Sequence, residues 1–117
     1  MGHVEVEARF ISPVTNERLS LTALIDTGAT FTTLPASICE RLKLPKVTQR
    51  KVRTASGWEE MTESYVIIEI QDQITTTPVL ISEKIDRALI GVLTLEALAL
   101  KVDPKTGRIE KTELLLL

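Results

Sequence analysis

Asp26-Thr27-Gly28 is the stretch of this chain best suited to do chemistry. Ala23-Leu24-Ile25 run straight into Asp26, and the small residues Thr27-Gly28-Ala29-Thr30 follow as a turn. An apolar run of this kind reads as a buried strand, so it delivers a carboxylate to a strand end. A carboxylate placed there can work as a base or, when protonated, as an acid. Gly28 has no Cβ and lets backbone or ligand approach closely. The same residues also admit a purely structural reading, in which Asp26 caps a turn and Gly28 serves its geometry. A phosphoryl-accepting aspartate fits less well, because that motif has a lysine between Asp and Thr and the chain offers no nucleotide-binding domain.

The elements that must position Asp26 are mostly strands. Val4, Val6, Ala8 and Phe10 alternate with Glu5, Glu7, Arg9 and Ile11, the two-residue period of a half-buried strand. Leu19, Leu21, Ala23 and Ile25 repeat that period up to Asp26, and Pro13 to Asn16 between them is turn chemistry, so a hairpin is expected. Leu34 to Leu42 suits a short helix, with Pro35 in its first turn and Pro45 blocking extension. Val47 to Thr54 reads as an exposed strand. With the polar stretch Trp58 to Ser64 it makes a long solvent-facing hairpin whose tip is near Ser56-Gly57. Tyr65 to Ile70 and Thr76 to Ile81 are rich in β-branched residues and read as core strands around a Gln71-Asp72-Gln73 turn. Pro78 is expected at a strand edge or bulge. Ala88-Leu89-Ile90-Gly91 is a further buried run, Thr94 to Leu100 a second short helix, and Val102 to Ile109 a last hairpin turning at Asp103 to Gly107. Ala23-Leu24-Ile25 and Ala88-Leu89-Ile90 share an apolar triplet, a faint internal echo.

Bulk properties narrow the function classes. The 117 residues suffice for one domain spanning 1–117 with a real core, and 44% are hydrophobic against 26% charged. A net charge of −2 offers no basic surplus for nucleic acid or an anionic membrane. The lone Cys39 cannot form an internal disulfide and reads as a small buried hydrophobe. With His3 and Cys39 alone, no metal site and no cofactor are expected. No apolar run approaches a membrane span and no signal-type block opens the chain, so the expected location is cytoplasmic.

Three motifs, in order, resemble the retropepsin-type aspartic proteases, single-domain relatives of the retroviral enzymes. They are Leu24-Ile25-Asp26-Thr27-Gly28-Ala29, the strand Val66-Ile67-Ile68-Glu69-Ile70, and Ala88-Leu89-Ile90-Gly91. The pattern covers residues 4–113. The resemblance implies a mainly β fold, a closed acid-protease barrel with one or two short helices. It implies that Asp26 is catalytic, that Thr27 hydrogen-bonds across a dimer axis, and that the Gly28 and Ala29 backbone lines the substrate cleft. It places a mobile flap at the hairpin carrying Ser56, Gly57 and Trp58. Two departures stand out. Retroviral members carry an acid where this chain has Thr30 and an arginine where it has Val92; these two pair with each other, and here both are absent together, so neither charge is left alone. The flap has one glycine where retroviral flaps have several, and Trp58 supplies a large apolar lid instead.

Peptide hydrolysis in this class needs two carboxylates sharing a proton. The ionised one takes a proton from water while the protonated one polarises the scissile carbonyl. Like charges that close cannot both ionise readily, so the pair titrates in two steps. No second Asp-Thr-Gly or Asp-Ser-Gly exists, and Asp86 and Asp103 lack the flanking pattern. A working site therefore needs two copies of Asp26 about a two-fold axis, that is, a homodimer acting on a peptide or protein substrate. The competing reading is an inactive module of the same fold used for dimerisation or peptide binding. Glu59, Glu60 and Glu63 read as a solvated face. The four leucines Leu114 to Leu117 are expected at or near the dimer interface, because an extended strand apolar on both faces cannot satisfy itself in a monomer.

Overall fold

The expected first hairpin is formed by β1 (Val4–Ile11) and β2 (Arg18–Ile25), antiparallel with Val4 opposite Ile25 and Ile11 opposite Arg18. Ala8, Phe10, Ala23 and Ile25 turn inward and are buried. In the connecting loop the Ser12 hydroxyl accepts hydrogen bonds from the N–H groups of Val14 and Thr15, and Asn16 takes the left-handed backbone the turn requires (φ 64°). The structure, a computed structural model, describes residues 4–116. His3 and Leu117 lie outside them.

Beyond the hairpin come β3 (Thr32–Pro35), α1 (Ala36–Arg41), β4 (Thr48–Thr54), β5 (Gly57–Ile70) and β6 (Gln73–Ser82). They are followed by β7 (Leu89–Ile90), α2 (Val92–Ala97), β8 (Leu100–Val102) and β9 (Ile109–Lys111). The large sheet has the order β1-β2-β7-β3-β6-β5-β4. Arg9, Phe10 and Ile11 of β1 also pair with Glu69, Ile68 and Ile67 of β5. That pairing returns the sheet to its first strand, so β1, β2, β7, β3, β6 and β5 close on themselves while β4 stays outside. The chain is thus mainly β and barrel-like, as expected.

The length of β5 explains how it serves two neighbours along one edge while β6 pairs along the other. Its first half, Gly57 to Glu63, carries β4, and its second half carries β1. The two polar and apolar stretches read from sequence are therefore one continuous strand of 14 residues. At the β5–β6 turn Gln71 and Asp72 both take positive φ (49° and 67°), the backbone of a tight two-residue hairpin. The core fills the barrel with Phe10, Leu34, Leu42, Ile68, Ile70, Ile90 and Leu98, all nearly or wholly excluded from water. Pro78 sits one residue before β3 begins to pair with β6, at Thr32 opposite Val79, in keeping with an edge position.

Two helix expectations shift. Leu34 and Pro35 end β3, and the first helix starts only at Ala36, because Thr32 to Pro35 pair in parallel with Val79 to Ser82. The second helix begins directly after Gly91, and Leu100 already belongs to β8. Cys39 is buried on α1, and that burial pushes its thiol up to about 11.

Candidate active site

β7 lies between β2 and β3 in the sheet, so chain leaving β2 must pass over the end of β7 to reach β3. That crossing segment is residues 26–31, and it starts with Asp26. Parallel pairing sets the strand ends side by side: Leu24 N–H donates to Ala88 O (2.9 Å) and Asp26 N–H to Ile90 O (2.9 Å). The start of α2 then holds the segment from below, Val92 N–H donating to Ala29 O (2.9 Å) and Leu93 N–H to Thr30 O (3.0 Å).

Gly91 is where the two layers touch. A Cβ there would stand 2.5 Å from the Phe31 carbonyl carbon and 2.8 Å from Thr30 O. Its backbone angles are ordinary extended ones, so the glycine is required for space and not for conformation. Gly91 N–H donates to the buried Thr32 hydroxyl (3.1 Å). Thr32 Oγ1 lies 2.6 Å from Thr94 Oγ1, which lies 2.8 Å from Thr77 Oγ1, and Thr77 reaches Pro78 O at 3.4 Å. One direction satisfies every member: Thr32 donates to Thr94, Thr94 to Thr77, and Thr77 to the carbonyl. This buried hydroxyl chain ties β3, β6 and α2 together directly beneath the crossing.

The Asp26 side chain is half-buried, and its Oδ1 accepts the Gly28 N–H at 3.0 Å. Ala29 N–H closes the turn onto Asp26 O (3.1 Å). Thr27 and Gly28 are exposed, and Ala29 is half-buried. The four residues therefore form one local unit that presents a single held carboxylate. Among the described residues no group of three His, Cys, Asp or Glu side chains is placed to hold a metal ion.

Ser56, Gly57 and Trp58 are at the tip of the β4–β5 hairpin, a separate element. Gly57 carries the positive φ (120°) that lets Ala55-Ser56 turn the chain. Trp58 is 62% exposed, with the Arg53 guanidinium 5.5 Å from its ring centre, so it is not core.

Beyond the pairing of Thr62 and Glu63 with β6, two side-chain contacts join the hairpin to the rest. Arg50 on β4 stacks 5.0 Å over the Phe31 ring, in the crossing segment itself. Glu59 on β5 accepts Lys84 Nζ at 2.9 Å, from the segment leading into β7. The Lys84 bond, and next the Thr54 hydroxyl, hold the Glu59 carboxyl below its usual value. Glu59 and Glu63 are thus not the solvated face expected from sequence. Both are half-buried and paired, Glu63 with Arg50, and only Glu60 faces solvent. The signal available was alternation: Glu59 and Glu63 share a face with Met61.

Residues 13–97 match the sequence family described as "gag-polyprotein putative aspartyl protease". The chain belongs to this family. The simian foamy virus (mac) protease, known from a solution structure, has the same fold. It superposes with a TM-score of 0.59 at 22% identity, over 79% of this chain and 91% of that one. EIAV protease, solved in complex with the inhibitor HBY-793, gives a TM-score of 0.63 at 19% identity, over 98% and 94%. No curated protein matches the sequence. At these identities the structural likeness establishes the retroviral-protease fold, and the family match establishes kinship with the aspartyl proteases.

Proposed function

We propose that this chain is an aspartic endopeptidase that works as a homodimer, with Asp26 of each copy contributing one carboxylate to a shared site. The observation that carries the reading is the single held carboxylate of Asp26 at the end of β2, fixed through Gly28 and the crossing over Gly91. One Asp26 takes a proton from a water molecule. The water oxygen attacks the peptide carbonyl, which the protonated Asp26 of the other copy polarises, and the amine leaves with a proton. Thr27 is assigned to the contact across the two-fold axis, the Gly28 and Ala29 backbone to the cleft floor, and Ser56, Gly57 and Trp58 to the flap. The direct test is cleavage of a mixed peptide library, with thermal stabilisation by an aspartic-protease transition-state mimic measured in parallel. Mimic binding without any cleavage would leave the peptide-binding module as the better reading.

Trp58 tests the flap assignment. Because its ring is largely exposed, Trp58→Ala is expected to change stability by no more than about 1 kcal/mol, as for other surface positions. Loss of an apolar cover should instead reduce kcat/KM by about tenfold, since excluding water strengthens the polar contacts beneath. Melting temperature and kinetics on one preparation decide it, and a large loss of stability with normal turnover would refute the assignment.

Leu114, Leu115 and Leu116 are 74%, 73% and 100% exposed in the single chain. Such a run favours burial against a second copy. Deleting residues 114–117 is expected to raise the dimer dissociation constant at least about tenfold, the equivalent of ~1.4 kcal/mol. Activity should then fall steeply on dilution, which sedimentation and dilution assays would measure. An unchanged dimer with unchanged activity would place the tail elsewhere.

A further inference from the structure

The β4–β5 hairpin is fastened to the body of the protomer on both of its strands. On β4 the fastening is Arg50 over Phe31, which lies in the crossing segment behind Asp26. On β5 it is Glu59, whose Oε1 accepts Lys84 Nζ at 2.9 Å. The other oxygen of the same carboxylate accepts the Thr54 hydroxyl at 2.9 Å. Thr54 is the last residue of β4, and Ser56 N–H donates to its Oγ1 at 3.3 Å. A threonine hydroxyl has one proton to donate, and a charged carboxylate is its strongest acceptor. The Glu59 carboxylate therefore joins three parts: both hairpin strands next to the tip, and a segment outside the hairpin. That outside segment runs from β6 into β7, whose Ile90 carbonyl receives the Asp26 N–H. Behind the hairpin, between β5 and α1, a groove of about 670 Å³ has Glu59 and Lys84 among its lining residues.

We propose that Glu59 and Lys84 are positioning residues for the reaction: together they latch the hairpin, with Thr54 carrying the latch to the tip and Arg50 on Phe31 acting as the pivot. The proposal rests on the endopeptidase reading, because it assigns the hairpin as the flap of that site. The Lys84 side chain is 71% exposed and that of Glu59 28%. A pair whose lysine is largely in water contributes little to global stability. It is enough to bias a local opening equilibrium by about fivefold, which is what a latch that must release on every turnover needs.

The test uses the full chain in three forms: Glu59→Gln, Lys84→Met, and the exchanged pair Glu59→Lys with Lys84→Glu. In each single variant, backbone amide exchange over residues 52–58 is expected to accelerate about fivefold, with the melting temperature unchanged. KM for a cleaved peptide should rise by a similar factor. The exchanged pair restores attraction with reversed sign, and the ammonium introduced at position 59 can still donate to the Thr54 hydroxyl, so both readouts should return towards wild type. Wild-type exchange rates in the singles, or no recovery in the exchanged pair, would overturn the latch. Faster exchange with unaltered kinetics would overturn the positioning role. Should the wild type cleave no peptide at all, the endopeptidase reading falls, while the exchange measurement still decides whether the hairpin is latched.

Discussion

Asp26→Asn is expected to abolish peptide cleavage, by at least about 10³-fold, while the protein remains folded. Asparagine has the size of aspartate, and its amide oxygen can still accept the Gly28 N–H that Oδ1 accepts at 3.0 Å. The crossing segment should therefore keep its shape. What is lost is the ability to take a proton from water or to carry the shared one. The assay is turnover on a cleavable peptide with the melting temperature alongside, and near wild-type turnover would rule out the mechanism. Mixing makes the test sharper. If the site is shared between two copies, an equal mixture of wild type and variant that exchanges subunits freely leaves about a quarter of the dimers fully wild type. If each protomer worked alone, about half the activity would survive.

Gly91→Ala is expected to cost at least ~3 kcal/mol of stability, the upper end for forcing an extra methyl into a packed site. The reason is the neighbour. A Cβ at this position meets the Phe31 carbonyl carbon at 2.5 Å and its oxygen at 2.6 Å, and both are backbone atoms that no rotamer change can move. Either the crossing segment lifts or β7 sinks. Lifting breaks the hydrogen bonds from Val92 and Leu93 to Ala29 and Thr30, and it shifts the residues that hold Asp26. Displacing a reacting group by ~1 Å can itself cost about 10²-fold in rate. Denaturant unfolding and turnover should fall together, and a variant as stable as wild type would contradict the close approach.

The mainly β fold and the local turn at Asp26 were legible in the sequence while other parts were not, and the difference is one of range. Gly28 and Ala29 are both bonded to Asp26 within three residues, so this turn follows from local residue types and order. The hairpin of β1 and β2 was also readable, because one of its faces is wet and alternation survives. β3 was hidden for the opposite reason. Its Thr32, Leu34 and Pro35 are all buried between β7 and β6, which leaves no period to read in four residues, and Pro35 suggests a helix start instead. Gly91 was recognisable by its motif, but the backbone it accommodates lies about 60 residues earlier in the chain. The contact of Glu59 with Lys84 spans 25 residues between two acidic or basic positions that look solvent-facing in isolation. Alternation puts Glu59 on the same face as Met61, but only the fold shows that Lys84 meets that face.

Of the described strands in the large sheet, β4 alone has a single partner, so its far side is a row of unpaired backbone donors and acceptors. An open edge of this kind invites another chain to add a strand, and a second copy of this protein offers the same edge. The composition of β4 resists that. Arg50, Lys51 and Arg53 fall within its seven residues with no acidic side chain among them. Two such edges brought together would set cations against cations before any hydrogen bond could form. The open edge is thereby protected from capture by a second copy, and a homodimer of the kind proposed would have to form through other surfaces.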